Sequence, residues 1–173
     1  MSRWWSVLTA LLVALPLAWG SSRIPVPGYT RLELTEPESG RKLLARLLPD
    51  GEPAVLTWTN SLFRLGVTER FLARDGLLLL TAVTFADPSG RVPPLSRPEE
   101  LDDLYHTGGP FRVEGVARPI SRVVFRLGEV GRPRLRVGGE LVEFYPAVGF
   151  GGRLLLETRR PTLGEWLLGR AAG

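Results

Sequence analysis

The residues best suited to chemistry fall in one stretch, residues 56–71 (LTWTNSLFRLGVTERF). Trp58, Thr59, Asn60 and Ser61 bring an indole, two hydroxyls and a carboxamide together, and Thr68 and Glu69 follow after a short gap. Asn60 is the sole asparagine of a chain without glutamine, so a carboxamide here is not compositional filler. Asparagine and serine bond nearby backbone readily, so one reading is a polar network that fixes the loop over residues 62–67. The other is a recognition site for a small ligand or a partner protein. A hydrolytic reading would take Ser61 as nucleophile and His106, the sole histidine, as base, with Asp102 or Asp103 orienting it. The chain lacks the Gly-x-Ser-x-Gly elbow that such a serine often occupies. Asp87, Glu99, Glu100, Asp102, Asp103 and His106 give one loop the oxygen ligands that Ca²⁺ takes, without the spacing of an EF-hand. The expectation is therefore a non-enzymatic protein with no catalytic residue, metal or cofactor. Its recognition or network residues are Trp58, Thr59, Asn60, Ser61, Thr68 and Glu69, joined by Asp102, Asp103, Tyr105 and His106 on the loop.

Composition narrows the classes further. The 173 residues suffice for one domain, and a 44% hydrophobic share is that of an ordinary globular protein. Zero cysteines exclude disulfides, thiolate metal sites and cysteine nucleophiles. Cationic residues are arginine except for Lys42, and 20 glycines and 15 prolines point to a GC-rich genome, with thermal adaptation an alternative source of the same bias. The net charge of +4 is spread along the chain, with arginines alternating against apolar residues over 122–126 and 132–136. No basic run carries interleaved aromatics, so nucleic acid is not an expected partner.

The elements that must position these groups are strands. Period-two alternation marks residues 29–35, 41–48, 54–60, 68–74 and 77–85, then 121–127, 133–137, 140–145 and 153–158. Asp75-Gly76 and Gly138-Gly139 are two-residue hairpin signals. The run over 77–80 is apolar on both faces, which predicts a strand that is central or covered on both sides. About nine short antiparallel strands with Gly/Pro turns predict an all-β fold, a single β-sandwich or partly open barrel. Residues 86–110 read as a long proline-punctuated loop, with one helical turn over 98–104 capped by Ser96. Thr162-Leu-Gly-Glu165 fits a capping box for a short C-terminal helix with Leu163, Trp166 and Leu167 on one face.

The N-terminus reads as an address. Arg3 precedes an apolar run over residues 4–19, and Ala18-Trp19-Gly20 has the small-x-small cleavage pattern. Residues 1–20 are expected to be a signal peptide or an uncleaved anchor, 21–28 a proline-spaced linker, 29–161 the sandwich domain and 162–173 the helical tail. The domain is then periplasmic or otherwise extracytoplasmic, either free or tethered to the inner membrane through the N-terminal segment, which also offers contact with the membrane surface.

Trp58-Thr59-Asn60-Ser61-Leu62 and Thr68-Glu69-Arg70-Phe71 resemble the bacterial family known as domain of unknown function 1850. Thr59, Ser61, Thr68, Glu69 and Phe85 stand where that family's pattern has them, and 115–119, 122–128 and 135–139 are similar to it as well. Asn60 replaces the family's usual histidine, Trp58 its tyrosine, and Asp87–Pro93 its glycine-rich element. A carboxamide donates and accepts hydrogen bonds but does not titrate, so the replacement favours architecture or recognition over proton transfer. The resemblance implies an accessory role beside TAXI-type tripartite ATP-independent periplasmic (TRAP) transporters, whose solute-binding protein, permease or solute would be the partner. An independent envelope binding module is the alternative, and a hydrolase the third reading.

Overall fold

The computed structural model describes residues 24–171. Over them the chain forms β1 (Tyr29–Glu36), β2 (Arg41–Pro49), β3 (Pro53–Thr59), β4 (Gly66–Arg74), β5 (Leu77–Phe85) and β6 (Leu95–Ser96). A 3₁₀ turn (Pro98–Glu100) leads into α1 (Leu101–Thr107). There follow β7 (Phe111–Ile120), β8 (Arg122–Arg126), β9 (Arg134–Val137), β10 (Glu140–Glu143), α2 (Phe144–Val148), β11 (Arg153–Arg159) and α3 (Leu163–Ala171). The expected signal or anchor over residues 1–20 lies outside the described residues. Among the described residues no helix is long and apolar enough to cross a membrane.

The strands make two open sheets, β2-β1-β11-β8 and β10-β9-β3-β4-β5-β7-β6. One apolar cluster serves both: Leu32 and Leu34 of β1 and Leu154 and Leu156 of β11 join Leu56, Phe71, Leu78 and Leu135 from the larger sheet. Alternation puts these side chains on one face of each strand and the arginines on the other. Arg122, Arg126, Arg134 and Arg136 are all exposed, as the pattern predicts. The Asp75-Gly76 hairpin joins the sheets at one end. Both residues have positive φ (48° and 89°), as a type I′ loop requires. The Gly76 N–H donates to the buried Thr30 hydroxyl at 3.0 Å, and a Cβ on Gly76 would stand 2.6 Å from the Arg160 nitrogen. Asp75 also pairs with Arg160 at 2.8 Å, so the hairpin tip is pinned to the strand pair opposite.

Several expectations need correction. Among the described residues there are eleven strands rather than about nine, and β6 runs parallel to β7, so the fold is not wholly antiparallel. β7 escapes the pattern because Gly115 and Pro119 interrupt it and its partner shift against β5 hides the alternation. The run over 77–80 is central, as expected, with β5 between β4 and β7, although Leu77 is 38% exposed. Residues 86–110 are not one loop: β6, the 3₁₀ turn and α1 occupy much of them, and the helix runs on to Thr107. Ser96 belongs to β6 and caps nothing. Arg97 takes the capping position, its N–H donating to the Glu100 carboxylate at 3.1 Å. The strand expected over 140–145 ends at Glu143, because Phe144 turns inward to full burial, 5.0 Å edge-on from Phe125.

At the C-terminus the capping box forms. Glu165 accepts from the Thr162 N–H at 2.9 Å, and Thr162 Oγ1 accepts from the Glu165 N–H at 3.3 Å. The helix α3 lies on its own domain, with Trp166 edge-on to Tyr29 at 5.9 Å and Gly169 close against Leu47. Leu167 is 55% exposed and does not share the covered face expected of it. The described part of the proposed linker is tied to the same corner: Val26 N–H donates to the Pro161 carbonyl at 2.8 Å, and Leu163 N–H to that of Ile24 at 2.7 Å.

Candidate functional site

Asn60 sits one residue beyond β3, where the chain leaves the ladder and backbone donors lose their strand partners. Its Oδ1 accepts from the N–H groups of Leu62 and Phe63, each at 3.0 Å. Its own backbone closes the loop, N–H to the Leu65 carbonyl and carbonyl from the Arg64 N–H, both at 2.8 Å. One carboxamide and one peptide unit therefore organise the turn that joins β3 to β4. Leu65 is buried at its end, while Ser61 and Leu62 face water.

Glu69 faces the other way. In β4, Val67, Phe71 and Ala73 are buried, and Glu69 shares their parity, so its carboxyl enters the interior between the sheets. Tyr105 of α1 reaches across and donates its hydroxyl to Glu69 Oε1 at 2.7 Å. Burial raises the Glu69 carboxyl above its ordinary range, opposed by the Tyr105 hydroxyl and the Trp58 indole, which both favour the anion. The same burial, and then the Glu69 charge, push the Tyr105 phenol up. Among the described residues no ion pair reaches Glu69.

An aromatic group holds the pair. Phe85, at the end of β5 and fully buried, meets Trp58 at 6.2 Å and Tyr105 at 5.5 Å edge-on, and stacks on Phe111 at 4.4 Å. A second contact closes the corner: a Cβ on Gly108, which ends α1 with φ 72°, would strike the Phe63 ring at 2.4 Å. Only glycine fits there, on both grounds. Residues 56–71 and the segment after β5, separate in sequence, are thus one structure.

A cleft of about 330 Å³ opens beside Glu69, lined by Leu56, Trp58, Val123, Phe125 and Pro133, with Arg126 among the residues around it. A smaller void of about 60 Å³ in the core shares Leu56, Glu69, Val123 and Phe125 with its lining. Sequence reasoning missed Val123, Phe125 and Pro133. For Val123 and Phe125 the signal was the inward parity of β8, read without a partner strand to face; Pro133, just before β9, carried none.

The other candidates stand apart from this cleft. Thr68 of β4 stands opposite Thr57, and Thr59 of β3 opposite Gly66, on the half-buried face away from Leu56 and Glu69. Ser61 has no hydrogen bond to His106, whose Nδ1–H donates instead to the Asp102 carbonyl of its own helix at 2.7 Å. The Asp102 carboxylate pairs with Arg118 at 2.9 Å, and the Asp103 carbonyl accepts from Thr107 at 3.0 Å. Asp87 is engaged by Ser89 and Arg91, and Glu100 by Arg97. Among the described residues no three His, Asp or Glu side chains converge as a metal site would require. Comparison with protein-family profiles, with curated proteins and with solved structures finds no match to this chain.

Proposed function

We propose that this protein is a binding module, not an enzyme: a β-sandwich whose recognition end is the corner where residues 56–71 meet α1. The observation that carries the reading is the joining of Glu69 to Tyr105 and of Phe63 to Gly108, which sets a carboxyl in an apolar cleft on a fixed frame. Its polar side chains are engaged as acceptors and donors of architecture, and Ser61 lacks a base within hydrogen-bond reach. A rigid frame around few polar groups suits recognition.

The setting comes from sequence. On the resemblance to domain of unknown function 1850, the module is exported by its N-terminal segment and is an accessory of a TAXI-type TRAP system, contacting the solute-binding protein, the permease or the solute. A pull-down from membranes in mild detergent, with the tagged protein as bait, tests this. Recovery of either transporter component supports the accessory role, and its failure leaves an independent envelope binding module as the better reading. Assays against ester, peptide and glycoside substrates test the module reading itself, which an activity lost in Ser61→Ala would overturn.

A further inference from the structure

Glu69 poses a physical problem that the fold does not solve by itself. A carboxylate among Leu56, Trp58, Val123 and Phe125 has lost much of its water, and uncompensated buried charge is costly. Buried carboxylates are ordinarily offset by arginine or lysine. Among the described residues 13 ion pairs engage carboxylates elsewhere, and none engages Glu69. Tyr105 and the Trp58 indole N–H each take one acceptor position, so a carboxylate with about four lone-pair sites keeps room for a further donor. Beside it stands an apolar wall, with open volume in front.

We propose that the cleft is a binding site for a small organic ammonium: one cationic nitrogen carried on an apolar body. The nitrogen sits against Glu69, and the apolar body lies against Leu56, Val123 and Phe125. Arg126 lines the same cleft, so a second positive charge on the ligand meets repulsion, and a polyamine is disfavoured. Charge-assisted bonding in a partly dry site gives selectivity for the ammonium over a neutral molecule of the same shape. The inference rests on the binding-module reading but not on the transporter link.

Calorimetric titration of the full chain in non-ionic detergent tests it, with benzylammonium as probe and benzyl alcohol, benzoate and spermidine as comparisons. Benzylammonium is expected to bind about tenfold or more tighter than benzyl alcohol, a difference of about 1.4 kcal/mol. Glu69→Gln should remove that preference while keeping the Tyr105 hydrogen bond. Val123→Phe, which fills the cleft and keeps the carboxylate, should weaken benzylammonium by a similar factor, so the test does not depend on one variant folding. Equal affinity for amine and alcohol overturns the proposal, as does unchanged binding in both variants or no heat from benzylammonium at millimolar concentration. Spermidine binding tighter than benzylammonium overturns the single-charge requirement. Ammonium binding without transporter recovery in the pull-down removes the transporter link alone, and recovery without ammonium binding removes this site alone.

Discussion

Asn60 stands out in the sequence for its rarity, and the structure gives it work that its chemistry explains. One carboxamide oxygen serves the N–H groups of Leu62 and Phe63, which have no strand partner. Replacing it by alanine leaves both donors without that acceptor. Asn60→Ala should therefore cost about 1–2 kcal/mol, read from urea denaturation, while Asn60→Asp, which keeps the acceptor, should stay close to the parent. An unchanged midpoint in the alanine variant would show that water replaces the side chain at no cost. Of the two readings available from sequence, the loop-fixing network is the one these bonds favour for Asn60. The proposed recognition chemistry rests on Glu69, nine positions on. Its inward aim was legible in principle, since it shares parity with Val67 and Phe71, but parity cannot say which face of a strand is covered.

The pH behaviour of Glu69 belongs to the same scale. Its folded-state carboxyl holds a proton more tightly than the ordinary value of 4.5, chiefly through burial. The native state thus binds more protons than the unfolded chain across this range, and stability falls as pH rises through the folded pKa. Glu69→Gln removes the ionisation. It should be more stable than the parent at neutral pH, with the advantage vanishing below about pH 4.5, where both states of the parent are protonated. Melting both proteins at pH 7.5 and pH 4 decides the matter. A glutamine variant that melts lower at neutral pH would mean that Tyr105 and Trp58 more than offset the burial.

At the scale of elements, turn chemistry and alternation carried much of the fold, and the exceptions have physical causes. The hairpins at Asp75-Gly76 and Gly138-Gly139 formed because paired positive φ values suit those residues. β7 was hidden by Gly115 and Pro119, and the helical turn expected over 98–104 fell short of the end of α1 at Thr107. Neither feature can be read locally, since both depend on what they pack against. Gly108 shows the dependence well: α1 ends where the Phe63 ring, from another element, fills the space a side chain would need. Gly108→Ala should loosen that corner, seen as faster amide exchange over α1 and in the turn organised by Asn60. Exchange unchanged from the parent would mean that Phe63 moves aside freely.

The helix α3 is held differently. Glu165 accepts from Arg159 and from the Thr162 N–H, and the Arg159 hydrogen bonds foremost hold its carboxyl at about 2. Its pKa is depressed on folding, so the stabilisation is present above the unfolded value of 4.5 and is lost as pH falls through about 2. The pair is partly exposed, and salt should weaken it. Protection factors of the α3 amides, taken against the intrinsic exchange rate at each pH, should fall on acidification from pH 5 to pH 2.5 in the parent, and be less pH-dependent in Glu165→Gln. An equal fall in both would assign the change to some other carboxylate.

For the whole molecule, fold and site meet at Phe85. Its ring is fully buried in the common core, and the same ring touches Trp58 and Tyr105, the two donors that face Glu69. Period-two alternation assigned Phe85 to a strand, but the assignment of its ring to both layers needs the pairing of β5 with β4 and β7 and the return of α1 over them. Such long-range arrangement is not written in any one window of sequence. The coupling makes a definite expectation. Phe85→Ala should cost about 3–5 kcal/mol, as large aromatic truncations in a packed core do. Phe85→Leu, which keeps much of the apolar volume, should cost less and leave a folded protein. In that leucine variant Trp58 and Tyr105 lose the ring that sets their angle, so the Tyr105–Glu69 bond should loosen. A tyrosine hydroxyl released from a carboxylate titrates closer to its ordinary value of 10.0, which ultraviolet difference spectra of the parent and variant would register. A phenol that titrates alike in both proteins would show that β4 and α1 hold the pair without Phe85, and that core and recognition corner are separable.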